Sequence, residues 1–193
     1  MNIGIDIDGV LTDEHKWHIE SASKYLKKEP INLDGFTTRE IFGSTLKEEE
    51  DFWNKNIWEY AKKEKPIKNA SEYIQKLHDE GNKIYIITAR EFAYLDTELG
   101  NKMKCIVKQW LETNDIIYDK IFFTNLSKLE VCRKNNINIM IEDNVNNLNE
   151  ISKEIKTICV DARYNKSCSS ENIVRCFNWK EIYEAINIIK NTK

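Results

Sequence analysis

The chain has 193 residues, 41% hydrophobic and 32% charged, with a net charge of −3 and a pI of about 5.8. That length suits one domain with a modest insertion, and the composition is that of a water-soluble globular chain. The acidic balance leaves no basic field to hold a nucleic acid polymer, although a ligand as small as a nucleotide is compatible with it.

No apolar run approaches the roughly 20 residues of a membrane span. The first residues lack the basic-then-apolar pattern of a secretory signal. The five cysteines (Cys105, Cys132, Cys159, Cys168 and Cys176) show no C-x-x-C spacing, which argues against a disulfide framework or a zinc site. Reduced thiols in a cytoplasmic protein are the expectation, with Cys168, in a polar loop, the exposed one. His15, His18 and His78 form no ligand set.

In chain order, a short strand over Asn2–Asp6 runs into Asp6-Ile7-Asp8-Gly9-Val10-Leu11-Thr12-Asp13. Acids crowded at the end of so short a strand repel and desolvate one another. A divalent cation and a phosphoryl group would account for both Asp6 and Asp8, one carboxylate binding metal and attacking, the other moving a proton.

Between Asp13 and Pro66 no strand is evident. Helices are expected over Glu14–Glu29, with Asp13 as N-cap, and over Leu46–Lys63, joined by a loop with Pro30, Gly35 and Gly43. A connection this long is normally functional. It reads as a two-helix cap over residues 14–65, inserted into a core of residues 1–13 and 66–193. Trp17, Trp53, Trp58, Phe36, Phe42 and Phe52 fall in this insertion. Most of them are expected to form its own core, with one or two facing a cleft.

Beyond it, strands over Lys83–Thr88, Lys120–Thr124, Asn138–Glu142 and Thr157–Val160 alternate with helices over Ser71–Glu80, Leu95–Thr113, Ser127–Asn135, Val145–Lys153 and Trp179–Lys190. Asn69 is the expected N-cap of the first of these helices, and Ile173–Cys176 a last edge strand. Near-continuous hydrophobicity in the strands suits a parallel α/β sheet covered by helices on both faces. In such sheets ligands bind at the carboxyl ends of the strands. Those ends carry Asp6-x-Asp8, Thr88-Ala89-Arg90 and Glu142-Asp143, with Lys128 opening the helix after the third strand. Metal ligands, a nucleophile and cations at one rim are what phosphoryl transfer needs.

These positions resemble the four motifs of the haloacid dehalogenase-like (HAD) hydrolase superfamily. Asp6-Ile7-Asp8-Gly9-Val10 matches its D-x-D-x-[TV], Thr88 its strand-end hydroxyl, Lys128 its lysine and Glu142-Asp143 its acidic pair. The resemblance implies a Rossmann-like core. It also implies Asp6 as nucleophile, Asp8 as acid and base, and Mg²⁺ held by Asp6, the Asp8 carbonyl and Asp143. Thr88 and the Ala89 amide would hold phosphoryl oxygens, and Lys128 would offset charge. Glu142, where Asp or Gly is commoner, would stand behind the metal ligands or simply be a solvated strand-end acid. Arg90 would meet the substrate phosphate or pair with Glu91 or a cap acid.

Within the superfamily, the D-x-D-G-V-L-T-D form and the tryptophan-rich insertion look most like the 5′(3′)-deoxyribonucleotidase branch. That implies a nucleoside monophosphate substrate with an aromatic, Trp17 first, stacking on the base. A phosphosugar phosphatase would keep the same catalytic residues. A receiver-like phosphoacceptor domain fits less well, because a receiver's acceptor Asp follows a later strand and no helical insertion follows its first. A catalytically silent binding module would not need all four motif positions.

Overall fold

A computed structural model describes residues 1–192. Its strands are β1 (Asn2–Ile5), β2 (Lys83–Thr88), β3 (Lys120–Phe123), β4 (Ile139–Glu142), β5 (Lys156–Val160) and β6 (Ile173–Cys176). Its helices are α1 (Glu14–Leu26), α2 (Thr38–Phe42), α3 (Leu46–Lys63), α4 (Ala70–Asp79), α5 (Glu98–Thr113), α6 (Lys128–Lys134), α7 (Val145–Ile151) and α8 (Trp179–Asn191). The strands form one parallel sheet in the order β3-β2-β1-β4-β5-β6. The chain winds outward from β1 to β3, then returns past β1 to β4. The crevice beside β1 is therefore the switch point where such folds bind ligands.

Side chains alternate across the sheet. Ile3, Ile5, Ile84, Ile86, Ile139 and Ile141 pack in one core with Ile74 and Leu77 of α4, Met103, Val107 and Trp110 of α5, and Trp179 and Ile182 of α8. Tyr85, Ile87 and Met140 point the other way, to Leu129 and Cys132 of α6 and Ile151, the last residue of α7. Both faces are thus covered, as the apolar strands require. The Trp179 indole N–H donates to the Val10 carbonyl at 3.2 Å, tying α8 to the loop after β1.

The insertion contains three helices rather than two. Thr37 and Glu40 form a capping box that starts α2, as Thr45 and Glu48 do for α3. Ala22, Ile41, Phe42 and Phe52 make a small core there, joined by Trp17 and Trp53. The insertion is not separate from the sheet, because Ile57, Tyr60 and Ala61 of α3 belong to the main core.

Several local expectations are corrected. Asn69 adopts a left-handed conformation (φ 65°) and its side chain caps nothing; α4 starts instead on the Asn69 carbonyl, which accepts from the Tyr73 amide. Helix α5 begins at Glu98 rather than Leu95, capped by Thr97, and Leu99 near its start is exposed. Cys168 is buried against Leu148 and Cys159, whereas Cys105 is the exposed cysteine. Among the described residues no helix is long and apolar enough to cross a membrane.

His18 joins α1 to α2. Its ring is buried against Phe52 (5.5 Å, 17°), and Nε2 lies 2.7 Å from Thr38 Oγ1. Burial, with His15 adding, pushes its pKa down from 6.5 to about 3. The unfolded histidine then binds a proton more readily than the folded one. Its contribution to stability is full above 6.5 and is lost as the pH falls toward 3. Denaturant midpoints should accordingly fall below pH 6.5, less steeply in His18→Gln than in the wild type. Equal pH dependence in the two proteins would remove His18 from this role.

Candidate active site

After β1 the chain coils on itself. The Asp6 amide continues the sheet by donating to the Ile141 carbonyl (3.1 Å), and the Leu11 and Thr12 amides both turn back to the Ile7 carbonyl (2.8 and 3.1 Å). Gly9 sits at φ 76°, and a Cβ there would lie 2.1 Å from Asp143 Oδ2. The loop can approach Asp143 only because residue 9 has no side chain.

Because β1 and β4 pair with Ile5 opposite Ile141, Asp6 leaves the sheet beside Glu142. Lys128, the first residue of α6, reaches between them. Its Nζ lies 2.7 Å from Glu142 Oε2 and 2.9 Å from Asp6 Oδ1, with all three side chains buried. Glu142 is fully engaged. Its Oε1 accepts from the Asp143 and Asn144 amides (3.1 and 3.0 Å), and its Oε2 accepts from Asn147 Nδ2 (3.2 Å) as well as from Lys128. It is buried and hydrogen-bonded, and so is not a solvated strand-end acid.

Asp143 is held from the far side. The Tyr164 hydroxyl donates to its Oδ2, and Asn165 Nδ2 donates to its backbone carbonyl at 2.8 Å. Asp143 Oδ1 is buried with no hydrogen-bond partner among the described residues. Asp6 Oδ1 is also buried and unaligned for a hydrogen bond, despite its short distance to the ammonium. Ligand oxygens of Asp6, Glu142 and Asp143 all lie within 4.8 Å of one another. Burial raises the Asp6 pKa to about 7, with Glu142 and Asp8 adding and Lys128 opposing. Burial, then Glu142 and Asp6, raises Asp143 well above the carboxylate range. Burial alone would lower the Lys128 pKa, but Asp6 and Glu142 raise it. Were all three carboxylates ionised, one ammonium would leave two negative charges in excess, and the raised pKa values of Asp6 and Asp143 reflect that cost in a buried site; orphaned oxygens are also costly when buried. An oxygen-seeking divalent cation fits this donor set.

Asp8 lies on the cleft side of the loop and keeps partial exposure. The Arg90 guanidinium grips it bidentately, Nε to Oδ2 at 2.8 Å and Nη2 to Oδ1 at 2.5 Å. The Tyr60 hydroxyl, from α3, donates to Asp8 Oδ1 at 2.6 Å, and its ring lies under the Arg90 guanidinium at 4.8 Å. Arg90 thus pairs with neither Glu91 nor a cap acid. Thr88 is wholly buried, its hydroxyl accepting from the Arg90 amide at 3.1 Å, while Ala89 lines the cleft.

A cavity of about 580 Å³ opens from Asp6, Asp8, Lys128 and Asp143 toward the insertion, where Trp53 and Phe36 meet it. Trp17 does not line it. That ring packs against Phe52, Trp53 and Tyr60 instead, contrary to the expectation that Trp17 faces the cleft. Tyr60 and Glu14 also line the cavity. Neither carries a local mark of this beyond its position on a helix face. Burial, with Asp8 adding and Arg90 opposing, raises the Glu14 pKa to about 8.

Comparison with known proteins places the chain in a family. A nucleotidase from Clostridium acetobutylicum is 30% identical over 191 residues, covering 97% of this chain and 94% of its own. A HAD-superfamily hydrolase from Ehrlichia chaffeensis superposes with a TM-score of 0.58 at 12% identity, covering 97% of this chain and 96% of the other. D,D-heptose 1.7-bisphosphate phosphatase from B. bronchiseptica, solved with magnesium and phosphate, superposes at 0.56 and 11% identity, covering 97% and 98%. At these identities the two structures speak for the fold alone. The family model described as 5′ nucleotidase, deoxy (Pyrimidine), cytosolic type C protein matches residues 1–192. The chain belongs to this family of HAD-type phosphatases.

Proposed function

We propose that the protein is a Mg²⁺-dependent 5′-nucleotidase that hydrolyses (deoxy)nucleoside monophosphates through an aspartyl phosphate on Asp6. The observation that carries this reading is the Asp6 carboxylate, buried between Lys128 and Asp143 at the floor of a cavity with an indole in its wall. Asp6, the Asp8 carbonyl and Asp143 would hold Mg²⁺, whose charge would neutralise the phosphoryl oxygens. The solved heptose bisphosphate phosphatase, of like fold, carries magnesium and phosphate.

Asp6 attacks phosphorus, and the bond from phosphorus to the ester oxygen breaks. Asp8 delivers a proton to that departing oxygen. It then takes a proton from the water that attacks the phosphorus of the aspartyl phosphate, releasing inorganic phosphate and restoring Asp6. Arg90 holds Asp8 in line until phosphoryl oxygens compete for the same guanidinium. Thr88 and the Ala89 amide steady the transferring group, and Lys128 offsets the negative charge that Asp6 and the phosphate would otherwise share. Residues 14–65 act as a cap over the core formed by residues 1–13 and 66–193, with Trp53 as the stacking surface for the base.

A phosphosugar phosphatase is the second reading. It draws on Glu14, Glu50 and Glu91 in the cavity wall, which accept hydrogen bonds from hydroxyls. A phosphate-release panel separates the two. Nucleoside monophosphates should turn over with Mg²⁺ and cease to do so with a chelator, and a panel in which only sugar phosphates react would reverse the choice.

Two substitutions test the assignments. Asp6→Asn should lower turnover of an aryl phosphate by about a thousandfold or more; turnover near that of the wild type would take Asp6 out of the reaction. Trp53→Leu should raise KM for the best nucleotide by about tenfold, as loss of one base–aromatic stack does. An unchanged nucleotide KM would exclude Trp53 from the base site.

A further inference from the structure

Tyr164 lies outside every motif stretch, in a single 3-10 turn, Arg163–Asn165, between β5 and β6. The turn is anchored from below. Arg175 of β6 donates from Nη1 to Asn165 Oδ1 (2.8 Å) and from Nη2 to the Asn165 carbonyl (2.9 Å). Asn165 Nδ2 in turn donates to the carbonyls of Asp143 (2.8 Å) and Val160 (2.9 Å). From this fixed base the Tyr164 hydroxyl donates to Asp143 Oδ2, which leaves Oδ1 as the oxygen of that carboxylate with no hydrogen-bond partner among the described residues.

The other side of the Tyr164 ring meets the insertion. His15 and Phe36 each stand edge-on to it, with centroids 5.0 Å away. His15 Nε2 lies 2.9 Å from the Gly35 carbonyl, fastening the loop that carries Phe36 to α1. Phe36 in turn lines the cavity. One side chain therefore touches an acid at the cation site and the loop that borders the substrate cavity.

We propose that Tyr164 is a positioning residue with two functions. Its hydroxyl occupies Asp143 Oδ2 so that Oδ1 alone is presented to a divalent cation. Its ring sets the Phe36 loop against the substrate cavity. The inference rests on the reading of Asp143 as a cation ligand. Outer partners of ligating carboxylates commonly change metal affinity by about 10- to 100-fold when removed, and an aromatic edge contact is worth a few-fold in an equilibrium.

The test is calorimetric titration of Mg²⁺ into the substrate-free protein, beside KM measured at saturating Mg²⁺. The wild type should bind Mg²⁺, and Asp143→Asn should lose most of that binding. Tyr164→Phe, which keeps the ring, should bind Mg²⁺ about 10- to 100-fold more weakly. Tyr164→Leu, which loses ring and hydroxyl, should in addition raise KM about threefold or more above that of Tyr164→Phe. If Tyr164→Phe binds as tightly as the wild type while Asp143→Asn does not, the positioning role of the hydroxyl is wrong and the ligand reading stands. If Tyr164→Leu and Tyr164→Phe share one KM, the role of the ring is wrong. If Asp143→Asn binds like the wild type, or the wild type does not bind Mg²⁺, the ligand reading fails and the inference fails with it.

Discussion

A buried ammonium group, Lys128 Nζ, holds the carboxyl edge of the sheet together. It is the one cation set among Asp6, Glu142 and Asp143, and its two contacts reach the ends of two adjacent strands. A charge taken out of water must be paired and hydrogen-bonded to be tolerable. Glu142 meets that demand by collecting two backbone amides, one carboxamide and the lysine. Asp6 does not, since its Oδ1 has proximity to the lysine without alignment. The carboxylate of Glu142 is therefore fully hydrogen-bonded, whereas that of Asp6 keeps an oxygen without a hydrogen-bond partner. Together with Asp143 these residues form a buried acidic cluster whose donor set suits the cation proposed above.

The insertion belongs to this edge as much as the strands do. Helix α3 packs Phe52 into the small core of the insertion and, further along, Ile57, Tyr60 and Ala61 into the main core. Tyr60 thereby reaches Asp8, sharing it with Arg90 from the end of β2. Two groups far apart in the chain thus converge on one carboxylate, one from each side of the cleft. Displacement of α3 from the sheet would change the surroundings of Asp8 directly, so packing of the insertion and chemistry at the loop after β1 are physically joined.

Much of this architecture was legible because it rests on local pattern. Apolar runs such as Lys83–Thr88 are near-continuous because both sheet faces are covered, and the D-x-D, Thr88, Lys128 and Glu142-Asp143 positions follow from where such runs end. Helix α2 was missed: it has only five residues and little periodic signal, and its one local mark is the capping box of Thr37 and Glu40. What depends on long-range packing was not legible. Asn69 tolerates the left-handed conformation, so its residue type alone did not settle whether it would cap. Trp17 and Trp53 differ in the direction they face, which the packing of α1 on α3 decides. Cys168 is polar in its sequence neighbours and buried in its spatial ones. The grip of Arg90 on Asp8 spans 82 positions, and Tyr164 reaches Asp143 across 21, with no motif to announce either contact.

The proposed chemistry turns on a covalent bond between Asp6 and phosphorus. The most direct measurement is borohydride trapping during steady turnover, which reduces an acyl phosphate to the alcohol, followed by peptide mass spectrometry. Homoserine is expected at residue 6, dependent on both substrate and Mg²⁺. An unmodified Asp6 under conditions of full turnover, or reduction at Asp8 or Asp143 instead, would contradict it.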